Sequence, residues 1–319
     1  MSRAAFTFPG KGSQAVGMGR DLALAFPEAQ AVFEEVDEAL GEKLSATIFE
    51  GPEDVLRLTE NAQPALMAVS LAAMRVLEAT GITLSDSAAF VAGHSLGEYS
   101  ALCAAGSLSL GDTARLLRTR GQAMQRAVPV GKGAMAALLG LDLDTARTVA
   151  EEAGQGEVCQ VANDNAPGQV VVSGAIGAIE RAVEIAKARG AKRALLLPVS
   201  APFHCSLMHP AAEVMAEALG EVSIKPPSVP LIANVLARPI EDPEEIRARL
   251  VEQVTGMVRW TESVAWLTSE GEVTQLVEIG AGKVLTGLAK RIAPEAKALS
   301  LNSPADIEAF VAQATVSNG

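Results

Sequence analysis

Short, unbroken apolar runs bounded by glycine or proline alternate along this chain with longer stretches whose apolar residues recur every three or four positions. The runs at 4–8, 89–93, 134–141, 158–163, 169–173, 194–199, 229–235 and 274–279 read as strands. The stretches at 27–40, 63–80, 96–105, 109–128, 144–153, 176–189, 207–219, 243–254 and 261–269 have the helical period, and a further helix and tail follow Ser303. Pro64 suits the first turn of its helix, and Ser109 stands three residues before Asp112 as a helix N-cap does. Between 130 and 199 the order is strand, helix, strand, strand, helix, strand, the element sequence of a ferredoxin-like unit. The pattern therefore predicts an α/β protein with a large discontinuous domain, 1–129 and 200–319, and a small inserted subdomain, 130–199.

Composition narrows the chemistry. At 319 residues and 49% hydrophobic content the chain can bury a full core, and 3% aromatic residues make that core aliphatic. A net charge of −12 and so few aromatic rings argue against nucleic acid as a partner. Cys103, Cys159 and Cys205 are widely spaced, which predicts no metal cluster, no disulfide framework and a reduced cytoplasmic setting. No signal pattern opens the sequence and no run of eighteen uncharged apolar residues occurs, so no membrane span is expected.

One junction between the two patterns carries the chemistry. Gly93-His94-Ser95-Leu96-Gly97 sits where an apolar run meets an alanine-rich helix that Gly106 would stop, the strand–turn–helix context of a nucleophile elbow. There Ser95 would be the nucleophile and the Leu96 N–H an oxyanion donor. His94 leaves such a turn in another direction, which leaves His204 and His209 as bases, and His204, in the proline-flanked loop 201–205, is favoured. Arg120 is the one charge on the stripe formed by Leu116, Leu117, Ala123 and Met124. A buried guanidinium needs a carboxylate, from an internal Asp or Glu or from a ligand. Two glycine loops with a lysine, at 10–14 and 280–283, lack the spacing of a phosphate loop.

Phe8-Pro9-Gly10-Lys11-Gly12-Ser13-Gln14, Gln63-Pro64-Ala65-Leu66, Gly93-His94-Ser95-Leu96-Gly97-Glu98-Tyr99, Arg120-Gly121, Ala201-Pro202-Phe203-His204 and Glu278-Ile279-Gly280-Ala281-Gly282-Lys283 together resemble the malonyl-CoA:acyl carrier protein transacylases of bacterial fatty acid synthesis. The resemblance runs from about residue 4 to 301 and implies an α/β-hydrolase-like core with a parallel sheet and a ferredoxin-like insertion. It implies a ping-pong transfer of malonyl from coenzyme A through Ser95 to the phosphopantetheine thiol of acyl carrier protein, with His204 as base. Leu96 and Lys11 would offer backbone N–H groups to the oxyanion, and Arg120 would pair with the malonyl carboxylate. Gln63, Met124 and Phe203 would complete the substrate site. The main-chain carbonyl of Gln253 would orient His204, so the Gln253 side chain is expected to be dispensable. Leu96 and Phe203 favour malonyl, since methylmalonyl-selective relatives tend to carry Gln and Ser there. Lys11 departs from the family's usual Gln. No tightly bound cofactor and no metal are expected, and a monomer is. A local basic patch, with Lys187, Arg189, Lys192 and Arg193 as candidates, would meet the acidic carrier. One rival is a serine hydrolase, which would need an acid between 95 and 204 near a strand end, where only loop and helix acids occur, and the other is a non-catalytic scaffold of the same fold whose pocket only binds an acyl carrier.

Overall fold

The computed structural model describes residues 3–317. Ala4–Phe8 (β1) and Phe90–Gly93 (β2) pair in parallel, so that Phe8 stands beside Gly93. Gly133–Leu139 (β3), Cys159–Ala166 (β4), Gln169–Ala175 (β5) and Arg193–Leu196 (β6) form a second, antiparallel sheet. The chain then returns to the first sheet with Leu231–Ala233 (β7) and Arg238–Ile240 (β8), lends Val258–Arg259 (β9) to the second, and closes the first with Gln275–Ile279 (β10) and Lys297–Leu301 (β11). The larger sheet has the order β11-β10-β1-β2-β7-β8, parallel but for the β7–β8 pair, and the smaller has the order β6-β3-β5-β4-β9. β9 comes from outside 130–199, so the smaller sheet draws on more of the chain than the predicted insertion.

Strand periodicity sorts the core of the larger sheet. Phe6, Phe8, Val91, Leu231, Val277 and Ile279 pack with the helix Thr59–Ala79, which is buried along most of its length. Ala5, Phe90, Ala92, Ile232 and Leu276 face the opposite way, onto Trp260, Val264, Leu267 and Leu285. The smaller sheet buries Ala136, Leu138, Val170 and Val172 under the helices Leu143–Gly154 and Ile176–Ala188.

Pro64 is not in a first turn, because its helix begins at Thr59 and places the proline inside. The extra turn has no apolar period to advertise it. Its Thr59 and Glu60 backbone is what Gly121 of the helix Leu110–Ala127 packs against, at a distance where no Cβ fits. The expected turn at 165–168 is also shorter: β4 runs through Ala166 over two register shifts, leaving only Pro167 and Gly168. The strand expected at 194–199 stops at Leu196, and Leu197, Pro198 and Val199 instead line a cavity.

Candidate active site

β1 and β2 leave the carboxyl edge of the larger sheet side by side, next to the point where chain order departs in both directions from β1. Such a switch point is where open α/β sheets form crevices. β2 turns there into the helix Gly97–Ala104 through Ser95, whose φ of 55° is left-handed and strained for a serine. The turn closes only because residues 93 and 97 lack side chains. A Cβ on Gly93 would strike the Gly97 carbonyl, and one on Gly97 would strike that of Phe8. Asn234, just past β7, fixes the turn, accepting from the Ser95 N–H at 2.8 Å and donating to the Gly93 carbonyl at 2.7 Å.

Ser95 Oγ lies 2.7 Å from Nε2 of His204. Nδ1 of the same ring faces two carbonyls, Gln253 at 2.9 Å and Gly256 at 3.2 Å, so Nδ1 carries the proton and Nε2 is the free acceptor. No carboxylate among the described residues bonds to Nδ1. Burial first, then the Arg120 charge, pushes the imidazole down to about 3. His209 is elsewhere, its exposed ring 3.6 Å from Glu213, and the His94 Nε2 is engaged by Asn165 Oδ1 at 2.8 Å.

Arg120 is 2% exposed and has no carboxylate within ion-pairing distance among the described residues. It donates to Gln63 Oε1 at 2.7 Å, Gln253 Oε1 at 2.7 Å and Ser95 Oγ at 3.2 Å, and its Nε has no partner. A buried cation held by neutral oxygens, with one donor unused and the nucleophile beside it, is arranged for an incoming anion.

The Gln253 side chain is hydrogen-bonded as fully as its carbonyl. Its Oε1 positions Arg120, while its Nε2 donates to the Ser95 carbonyl at 3.0 Å and to Glu98. One residue thus couples base, cation and nucleophile, a consequence of where the helix Pro243–Gln253 ends that a carbonyl-only role could not anticipate. Glu98, in the motif Gly93–Tyr99, is the second partner of Gln253. It is buried, accepts from Gln253 and from the Asn234 N–H, and burial lifts its carboxyl to about 8 against those donors and the Arg120 charge. An acid inside an otherwise apolar helix was the available signal; for Asn234 it was a polar residue closing an apolar strand.

Ser95, His204 and Arg120 open on one cavity of about 460 Å³, lined also by Lys11, Leu96, Gln63, Met124 and Phe203. Gln63 Nε2 bonds to Thr59 Oγ1 at 3.1 Å and approaches the Met124 sulfur at 3.8 Å. Among the described residues, neither the Leu96 nor the Lys11 N–H has an acceptor in the chain, and no cluster of three His, Cys, Asp or Glu stands ready for a metal.

Residues 5–300 match the family model of the acyl transferase domain. The chain is 48% identical to the malonyl CoA-acyl carrier protein transacylase of Bacillus subtilis (strain 168) over 97% of this chain and 96% of that one. Among solved structures it resembles the acyl-carrier-protein-S-malonyltransferase of Bartonella henselae, with a TM-score of 0.95 and 59% identity over 98% of this chain and 99% of that one. It also resembles a malonyl-transacylase in complex with its type II PKS acyl-carrier protein, with a TM-score of 0.94 and 44% identity over 98% of this chain and 100% of that one.

Proposed function

The chain belongs to the malonyl CoA-acyl carrier protein transacylases of the acyl transferase family, and on that premise we propose how its residues move malonyl from coenzyme A to the carrier thiol. Ser95 attacks the thioester carbonyl while His204 Nε2 takes its proton, and the oxyanion is held by the Leu96 and Lys11 N–H groups at the amino end of the helix Gly97–Ala104. Coenzyme A leaves as the thiol, protonated by His204. The phosphopantetheine thiol then enters, gives its proton to His204 and removes malonyl from Ser95. Arg120 binds the distal carboxylate throughout, with Gln63 and Gln253 holding the guanidinium, and Met124 and Phe203 walling the acyl chain.

The observation that carries this reading is the buried, unpaired Arg120 beside Ser95 Oγ. A hydrolase acting on neutral esters has no use for it, whereas a carboxylate-bearing acyl group turns an unfavourable buried charge into a pair. The neutral carbonyls behind His204 favour the same conclusion, since they fix the ring without the anion of a hydrolase triad. The strand order β6-β3-β5-β4 supports reading the smaller sheet as a ferredoxin-like subdomain on a hydrolase-like core. The reaction as drawn needs no bound cofactor, and three free thiols accord with a reducing, cytoplasmic setting. Of the basic candidates for carrier docking, Lys187 and Arg189 are paired with Glu184 and Glu152, which leaves Lys192 and Arg193 as the stronger pair. Measuring malonyl transfer to a holo carrier protein against release of free malonate tests the proposal. Transfer should dominate by orders of magnitude, and comparable release of malonate would return the chain to the hydrolases.

A further inference from the structure

The transfer mechanism uses only the backbone of Lys11, yet its side chain has an unusual address. It lines the cavity that holds Ser95, Arg120 and His204, a cavity whose other charged or titratable walls are Arg57 and His94, with no Asp or Glu among them. The ammonium sits 5.2 Å from the centre of the Phe203 ring, and among the described residues no carboxylate lies within ion-pairing distance of it. The loop that carries it is fixed: Gly10 packs against the His94 backbone, and the Gly12 N–H donates to Gln14 Oε1 at 2.7 Å. Burial lowers the amine to about 8.

From this geometry we propose that Lys11 is an acylation site, where the ε-amino group captures malonyl from a thioester or from the Ser95 ester to give an amide that closes the cavity. The inference rests on the transacylase reading, which brings the acyl donor into that space. The neutral amine attacks the acyl carbonyl carbon. An N–C bond forms, the C–S or C–O bond breaks, and the thiolate or the Ser95 alkoxide takes up the proton shed by nitrogen. Attraction to the Phe203 ring holds only the protonated form, so deprotonation both creates the nucleophile and releases it from the ring. An amine titrating near 8 is neutral about two hundredfold more often at neutral pH than an ordinary lysine. Its lower basicity takes back part of that advantage, and lining the same cavity as Ser95 raises the concentration of acyl donor that it meets. The carrier protein opposes the side reaction by emptying Ser95, so amide should accumulate when malonyl-CoA is plentiful and carrier is scarce.

The experiment incubates the full-length protein with malonyl-CoA at a pH of about 8, the value near which Lys11 titrates, and maps acyl groups by peptide mass spectrometry before and after hydroxylamine, which cleaves oxygen esters and spares amides. The expected result is a labile malonyl group on Ser95 and a hydroxylamine-resistant one on Lys11, at an occupancy about tenfold or more above any exposed lysine. Transfer activity should decline in step with the amide in the wild type. Lys11→Arg, which keeps a cation that does not deprotonate, should lose the amide, and whatever transfer activity it starts with should hold constant over the same incubation. A Ser95 ester with Lys11 no more acylated than surface lysines overturns the inference and leaves the transacylase reading standing. Absence of both the ester and transfer overturns that reading.

Discussion

In the proposed mechanism, Arg120 is the residue from which substrate choice follows. Arg120→Ala removes the partner of the malonyl carboxylate, and deleting one side of a charge-assisted pair in a buried site costs about 3 to 5 kcal/mol. Malonyl transfer should fall by about two to four orders of magnitude, the factor that energy implies, while acetyl transfer holds or rises. Equal losses in paired assays would make Arg120 a structural residue. Gln253→Ala should be severe, because it releases Arg120, the Ser95 carbonyl and Glu98 together while leaving the carbonyl on His204. We expect a loss of about tenfold or more, larger for malonyl than for acetyl, whereas a silent variant would confine Gln253 to its backbone. His204 sets the pH dependence. Its folded value, about 3, lies below the ordinary 6.5, so the neutral base is fully present through the neutral range and the acid limb of Ser95 acylation should lie well below pH 6. The same shift works on stability with a fixed sign. The unfolded chain binds the proton first, so this residue's contribution is intact above about 6.5 and is lost as pH falls toward 3. An acylation limb centred at 6 to 7 would mean that His204 is far more hydrated than its burial implies.

The junction of β2 with the helix Gly97–Ala104 is the element that makes a serine reactive, and it was legible because its requirements are local. Glycines at 93 and 97, an apolar run before and a helix after are all written within a dozen residues. Gly93→Ala should therefore abolish acylation more thoroughly than it unfolds the protein, since the new Cβ meets the Gly97 backbone at the turn itself. Near-normal activity with an unchanged thermal midpoint would contradict that account. Elements defined by partners rather than by their own pattern were harder to read. β9 is two residues long and exists because Val258 pairs beside Asn163. The first turn of Thr59–Ala79 owes its place to Gly121, and the short helices Arg20–Ala25, Leu44–Glu50 and Glu53–Arg57 are too brief to show a period. For the same reason Ser95, His204 and Arg120 could be picked out from motif and odd charge, while Asn234, Gly256 and the clamp made by Gln253 and Glu98 depend on contacts between residues far apart in the chain.

At the scale of the molecule, the two sheets supply opposite walls of one cavity. The carboxyl edge of the larger sheet delivers Ser95, Leu96 and Lys11, and the smaller sheet with its following loop delivers Met135, Asn163, Val171 and Leu197 through Val199. That cavity mixes apolar walls, among them Leu96, Met124, Met135, Val171 and Phe203, with polar ones such as Lys11, Arg57, Gln63, Arg120 and Asn163. The alternation of strands and helices disclosed the α/β class and the strand-helix-strand-strand-helix-strand order over 133–196. The way the later chain crosses back to add β9 to the smaller sheet has no signature in composition. In the proposed mechanism malonyl travels on Ser95, and intact-protein mass spectrometry on rapidly quenched mixtures reads that covalent intermediate directly. A brief exposure to malonyl-CoA should add one malonyl group, absent in Ser95→Ala, and a chase with holo carrier protein should remove it as malonyl-carrier appears. Malonyl-carrier forming at the full rate with no adduct on the wild type, or in Ser95→Ala, would contradict the account.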